Sequence, residues 1–414
     1  MVYIPSRLGR VAVKEQGSGW GTAETSFAAA NALRCEATLP SLVREALSVD
    51  NMRGAFHAPE VTPGSKVGTT ISLRFPAHGW NTSGAAISGN PTEHPEALIV
   101  KNALGSAVQD GHQTDLLSSG TASDPEFTSA TDGLAGSAQL YPVNAAATVF
   151  GVGWAEEVTQ GTPDAVALAE ALDAAPDTSG STTAHGSNSI YLSVDQPTPI
   201  TVEWYGAHSS AILRLFDGIV TRLRLIVDPR GKLMWEADLV FGGWTLASDD
   251  SATALGDYAS PKPELAAVMG ANGGRLMVGG TSIAAAGSLS AEVTVEHSTV
   301  GSYSSDQGVA AFVVQNRTVT CEVQVPANNL GEAAGEDLNP TPGTDTDIVQ
   351  LDLANGGGSS FSMLLPTARL MEQIPLEDMD GIVGVKRVYG TGRYASDDSA
   401  EDAPANTAFR VAYL

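Results

Sequence analysis

The sequence predicts a mainly β fold, on three observations: its apolar stretches alternate with period two, turn formers abound, and helix signals are few. Glycine occurs 44 times and proline 22 times among 414 residues, which suits a chain of many turns. Aromatic residues make up only 6%, so the core must be built from Val, Leu, Ile and Ala.

The alternation is plainest over 318–325, where Val319, Cys321, Val323 and Val325 interleave with Thr318, Thr320, Glu322 and Gln324. That is the pattern of a half-buried strand. Ile71, Leu73 and Phe75 alternate with Ser72 and Arg74. Val293 and Val295 alternate with Glu292, Thr294 and Glu296, and Val349, Leu351 and Leu353 with Gln350 and Asp352.

One hairpin is legible residue by residue. Segments 219–227 and 232–241 flank Asp228-Pro229-Arg230-Gly231, with Pro229 suited to a turn and Gly231 to a bulge. This register sets Leu225 opposite Trp235, Leu223 opposite Ala237 and Ile219 opposite Phe241. On the other face Arg224 meets Glu236 and Arg222 meets Asp238, so opposite charges pair across the strands.

Two short helices are expected. The first starts at Pro95, carries Ala97, Val100 and Leu104, and stops at Gly105. The second starts at Thr162-Pro163-Asp164 with Ala165, Leu168, Ala169 and Leu172 on one face. Stretches 106–135, 176–189 and 330–347 are rich in Ser, Thr, Gly, Ala and Asp and suggest loops or insertions.

The chain carries a signal of internal duplication. Asp217-Gly218-Ile219-Val220 recurs as Asp380-Gly381-Ile382-Val383, 163 positions later, and Ser209-Ser210 recurs as Ser359-Ser360, 150 positions later. The expected organisation is a first domain over 1–255, with an insertion at about 106–190, and a second domain or second half of the fold over 256–414.

Net charge is −25, from 47 acidic and 22 basic residues, which argues against a protein that grips nucleic acid through phosphates. The two cysteines, Cys35 and Cys321, form no metal or disulfide framework by spacing. No apolar run reaches the length of a membrane span, and 1–16 lacks the apolar centre of a secretory signal. Phosphate-loop, zinc-protease and nucleophile-elbow motifs are missing, and the seven histidines are scattered, so no enzyme and no cofactor is expected. Asp345 with Asp347, and Asp378 with Asp380, read as solvated turns before a cation site.

The order of features resembles the tail tube proteins (major tail proteins) of long-tailed, siphovirus-like bacteriophages. Lys14-Glu15 followed by Gly19-Trp20-Gly21-Thr22 is similar to their opening. Pro63-Gly64 before the strand at 67–75, the helix closing on Leu104-Gly105, and the Asp217-Gly218 hairpin with Gly231 follow in the same order. Leu364-Leu365-Pro366-Thr367-Ala368-Arg369-Leu370, Asp380-Gly381-Ile382 and Phe409 resemble their closing segment. The excess length at 106–190 departs from the pattern.

This resemblance implies a β-sandwich or barrel-like tube domain with long hairpins, stacked as rings in the virion tail and assembled in the host cytoplasm. Partners would be copies of the chain and the tape measure, terminator and distal tail proteins, with genomic DNA passing through unbound. Duplication implies rings of three with pseudo-sixfold symmetry; without it, rings of six. Glu292, Glu296, Glu322 and Asp352 are then candidates to line the lumen. The alternatives are another structural β-protein (surface-layer, adhesin or capsid-decorating) and a hydrolase with a non-local site.

Overall fold

The computed structural model describes residues 10–25, 27, 31–38, 40, 44–49, 60–66, 69–77, 95–109, 117–128, 138–144, 149–159, 161, 163–178, 184, 187–205, 212–228, 231–247, 274–283, 288–302, 308–326, 346–354, 360–379, 382–391 and 407–414. The fold is mainly β, with one helix among these residues, and every described strand pairing is antiparallel.

The first half contributes β1 (Arg10–Glu15), β2 (Ala32–Leu33), β3 (Glu36–Ala37), β4 (Arg44–Val49), β5 (Glu60–Lys66) and β6 (Thr69–Pro76). Helix α1 (Pro95–Leu104) and β7 (Gly105–Gln109) follow. An insertion then supplies β8 (Leu117–Gly120), β9 (Pro125–Phe127), β10 (Ala138–Pro142), β11 (Phe150–Thr159) and β12 (Asp164–Leu168). The half closes with β13 (Asn188–Leu192), β14 (Ile200–Tyr205), β15 (Ile212–Val227) and β16 (Leu233–Ala247). The second half holds β17 (Gly274–Val278), β18 (Thr281–Ser282), β19 (Ser288–Gly301), β20 (Val309–Pro326), β21 (Thr346–Leu353), β22 (Phe361–Met379), β23 (Ile382–Thr391) and β24 (Arg410–Tyr413). The expected domain boundary at 255 lies outside the described residues.

The two halves have the same plan. In the first, strands pair in the order β3–β6–β16–β15, and β15 also carries β14, then β1, then β2. In the second, the order is β19–β20–β23–β22, and β22 carries β21, then β17, then β18.

The register repeats as well. Val220 pairs with Leu239 and Leu370 with Tyr389, each residue moved on by 150 positions. In both hairpins the register slips at the next residue, Thr221 in one and Met371 in the other. The β14–β15 ladder shifts between Ile200 and Val202, and the β21–β22 ladder between Asp347 and Val349. Strands β6 and β20 correspond at a spacing of 250, from Thr70 opposite Val240 to Thr320 opposite Gly390, and each ends on a proline, Pro76 and Pro326.

Of the two duplication signals in the sequence, the serine pairs have the 150-residue spacing of this register, while Ser209, Ser210 and Ser359 themselves lie outside the described residues. Asp217-Gly218 sits mid-strand in β15, whereas Ile382-Val383 opens β23, and Asp380 and Gly381 lie outside the described residues. The 163-residue match therefore joins non-equivalent positions.

Alternation explains the central strands. Burial in β6 alternates strictly from Thr69 to Phe75, and Ile71, Leu73 and Phe75 are buried together with Val319, Cys321, Val323 and Val325 of β20. One core cluster takes residues from both halves, including Val13, Leu223, Trp235, Val293, Leu351 and Phe361. Trp235 meets Phe361 edge-on at 6.2 Å, and Phe361 meets Tyr413 at 5.5 Å. Helix α1 begins at Pro95 and is followed by Gly105, whose φ of 105° ends the helix without a side-chain penalty. All its residues but Lys101 are buried, and Asn102 fixes it by accepting from the Val220 amide at 2.7 Å and donating to the Thr198 carbonyl at 2.8 Å.

Two expectations are corrected here. The second helix is instead strand β12 with flanking turns. Asp164 and Val166 are buried in alternation, Val166 pairs with Val158, and the Asp164 carboxylate closes a turn by accepting from the Gly161 amide at 2.6 Å. Alanine- and leucine-rich segments this short satisfy either period, and β11 beside it supplies the hydrogen bonds. The 219–241 hairpin keeps its expected register from Val227 to Arg222, with Leu225 opposite Trp235 and Arg222 opposite Asp238. Beyond the bulge at Thr221 the pairing moves by one, so Gly218, not Ile219, faces Phe241. Gly218 is required there: a Cβ would stand 2.4 Å from the Phe241 ring. The Gly231 amide closes the turn on the Asp228 carbonyl at 2.9 Å, and Pro229 lies outside the described residues.

Candidate assembly interface

The two halves are joined strand to strand. Strand β15 pairs with β14 along its first part and with β19 along its second, from Arg222 opposite Thr294 to Val227 opposite Leu289. The ladder therefore runs without a break as β3–β6–β16–β15–β19–β20–β23–β22.

One charged residue of the expected hairpin reaches across this joint. Arg222 bridges Asp238 at 3.4 Å within its own half and Glu292 at 2.8 Å in the other. Arg74 bridges Glu236 at 3.4 Å, and Lys386 bridges Glu322 at 3.0 Å. Register places Glu36, Arg74, Glu236, Arg224 and Glu292 in one row of alternating sign across five strands. Bonding to the Glu292 carboxylate raises the Arg222 pKa, so its charge is secure at any working pH.

A second contact accompanies the strand pairing. The outer part of the β19–β20 hairpin folds down onto the first half. Arg317 donates to the carbonyls of Ala103, Ser193 and Asp195 at 2.8, 2.7 and 2.9 Å, and burial lowers its pKa. Gln196 and Val314 exchange hydrogen bonds at 3.0 and 2.9 Å, and Trp20 packs edge-on against Phe312 at 6.0 Å. The loop bearing Trp20 is itself pinned by Asp217. The Asp217 carboxylate accepts from Gln16 at 2.9 Å and from the Gly21 amide at 2.7 Å, with the Asp217 backbone at φ 55°.

The acidic lumen candidates separate into two groups. Glu292, Glu296 and Glu322 lie on the polar face of the continuous ladder, with Glu296 exposed. Glu36, Glu236, Asp238 and Glu372 share that face, against Arg74, Arg222, Arg224, Arg369 and Lys386, so among the described ladder strands acid outnumbers base by a small margin. Asp352 does not belong there. It is 2% exposed and receives Arg275 at 2.9 Å, Gln350 at 2.8 Å and Ser362 at 2.6 Å.

The reason is the insertion, which covers that face of β21 and β22. Ala138, Leu140, Val152 and Trp154 pack on Ala354, Leu364, Ala412 and Leu414. Trp154 donates to Ser362 at 2.7 Å, and Arg275 reaches the Ala171 carbonyl at 2.9 Å and Asp173 at 3.2 Å. Burial raises the Asp352 pKa, with Arg275 pulling the other way. The insertion is five-stranded, in the order β10–β11–β12–β9–β8, with its own small core of Leu117, Phe127, Tyr141, Val166 and Leu172.

No protein-family model matches this chain, and no curated protein matches it in sequence. Among the described residues no group of three or more His, Cys, Asp or Glu side chains is placed to hold a metal ion. No helix among them is long and apolar enough to cross a membrane. Cys35 and Cys321 are free thiols, and burial pushes both pKa values up to about 12.

Proposed function

We propose that this chain polymerises with copies of itself into stacked rings, as the tail tube protein of a long-tailed, siphovirus-like bacteriophage. The observation that carries this reading is the β15–β19 joint. Two ladders of one plan already meet edge to edge inside a single chain. The counterpart edges remain at the two ends: the outer edge of β22 beyond Arg369, and the outer edge of β3, neither paired among the described residues. Such edges invite another strand.

A head-to-tail contact of this kind is heterologous, so it generates a ring when the rotation closes and a filament when it does not. Two ladders per chain make three chains the natural ring, with pseudo-sixfold symmetry. The polar face of the ladder, acid in excess, suits a wall past which DNA slides, since the duplex carries about one negative charge per 1.7 Å. Repulsion keeps the genome from adhering in transit. The resemblance in motif order supplies the viral setting: virion tail, assembly in the host cytoplasm, and contacts with tape measure, terminator and distal tail proteins.

Negative-stain microscopy of the purified chain across a range of concentrations tests the reading. Rings or hollow rods of uniform bore are expected. A single compact species at every concentration rejects it.

A further inference from the structure

We infer that the joint between copies repeats the internal joint residue for residue, with Asp378 of one copy opposite Ala37 of the next and Glu377 opposite Thr38. This rests on the ring-forming reading above and adds its geometry.

Strand β22 occupies in the second half the place of β15 in the first, and β3 occupies in the first half the place of β19 in the second. Leu233 pairs with Val227, and its counterpart Val383 pairs with Asp378, so Asp378 stands where Val227 stands. Val227 faces Leu289 across the internal joint. Leu289 faces Val323, whose counterpart Leu73 faces Ala37. Ala37 therefore stands where Leu289 stands, and Thr38 where Ser290 stands. The extra residue in β22 between Pro375 and Glu377 is already absorbed by reading the register through β23.

A second part of the internal joint has the same counterpart. The outer portions of β19 and β20 correspond to β4 and β5: Thr299 faces Phe312 as Leu47 faces Thr62, and both ladders shift register near their base. In the second half this arm rests on the first half through Arg317, Val314 and Phe312. The β4–β5 arm pairs only with itself among the described residues. It rests, by the same geometry, on the second half of the copy whose β22 receives β3.

Disulfide trapping reads the register. In a Cys35→Ser background, one chain carries Ala37→Cys and a second carries Asp378→Cys, so that only a joint between copies links them; Ala37→Cys with Gln373→Cys is the displaced control. Mild oxidation of assembled mixtures is expected to link 37 to 378 and not 37 to 373, since directly opposed positions lie within disulfide reach. Rods that form yet link 37 to 373, or neither pair, overturn the register while leaving ring formation intact. Absence of any assembly by the unsubstituted chain rejects both. Should the variants fail to assemble, hydrogen exchange on the unsubstituted protein decides. Amides over 372–379 and 36–38 are expected to lose their exchange on assembly, and unchanged exchange there overturns the inference.

Discussion

Arg222 of β15 reaches across the joint between the two halves to Glu292 of β19 at 2.8 Å, while also holding Asp238 beside it. Both acids and the arginine are partly exposed, so the bridge tunes the joint more than it stabilises it. Replacing Arg222 with Ala is expected to cost about 0.5–1 kcal/mol, and a double-mutant cycle with Glu292→Ala to give a coupling no greater than that. Urea unfolding of the four proteins measures it.

Arg275 is a different case, because its charge is buried. It joins Asp352 to the carbonyls of the insertion, and Arg275→Ala leaves the carboxylate without its cation. A loss of about 3–5 kcal/mol is expected. Limited proteolysis should also cut faster within 117–178, since the same side chain docks that segment.

Asp352 gives a pH dependence with an unusual sign. Burial raises its folded pKa above the unfolded value of 3.8, so the folded state binds the extra proton. Its contribution to stability is therefore fullest below the unfolded pKa and is lost as pH rises through the folded one. Asp352→Asn removes this dependence. Thermal midpoints of the two proteins, taken from pH 3.5 to about 7, should shift in favour of the variant as pH rises.

Asp217 combines a left-handed backbone with two accepted hydrogen bonds that hold the loop bearing Trp20 from both sides. Asp217→Gly keeps the backbone and loses the bonds, whereas Asp217→Ala loses both. The alanine variant is expected to be less stable than the glycine variant by about 1 kcal/mol, read from denaturant midpoints.

Much of the fold was legible because β6, β19 and β20 are covered on one face only, so Ile71 to Phe75 and Val319 to Val325 betray their period. The charge pairs Arg224–Glu236 and Arg222–Asp238 fixed a register in the same way. What stayed hidden depends on covering by distant chain. Asp352 alternates with Leu351 and Leu353 as a solvent residue would, yet it is buried and takes hydrogen bonds from Arg275, Gln350 and Ser362. The slip at Thr221 has no glycine or proline beside it to announce it, nor has its counterpart at Met371 a proline; only the pairing of Gly218 with Phe241 beyond it shows the shift. The repeat itself was obscured because its register is preserved while its residues are not, Thr70 with Thr320 and Pro76 with Pro326 being rare identities. The joint at β15–β19, on which the proposed assembly rests, has no short sequence motif at all.

A cryo-EM reconstruction of the assembled protein addresses that joint most directly. A hollow rod is expected whose wall is an unbroken sheet, each chain contributing two ladders and β22 passing hydrogen bonds to β3 of the next. Rods whose copies meet through any other edge, or a chain that remains solitary at high concentration, contradict it.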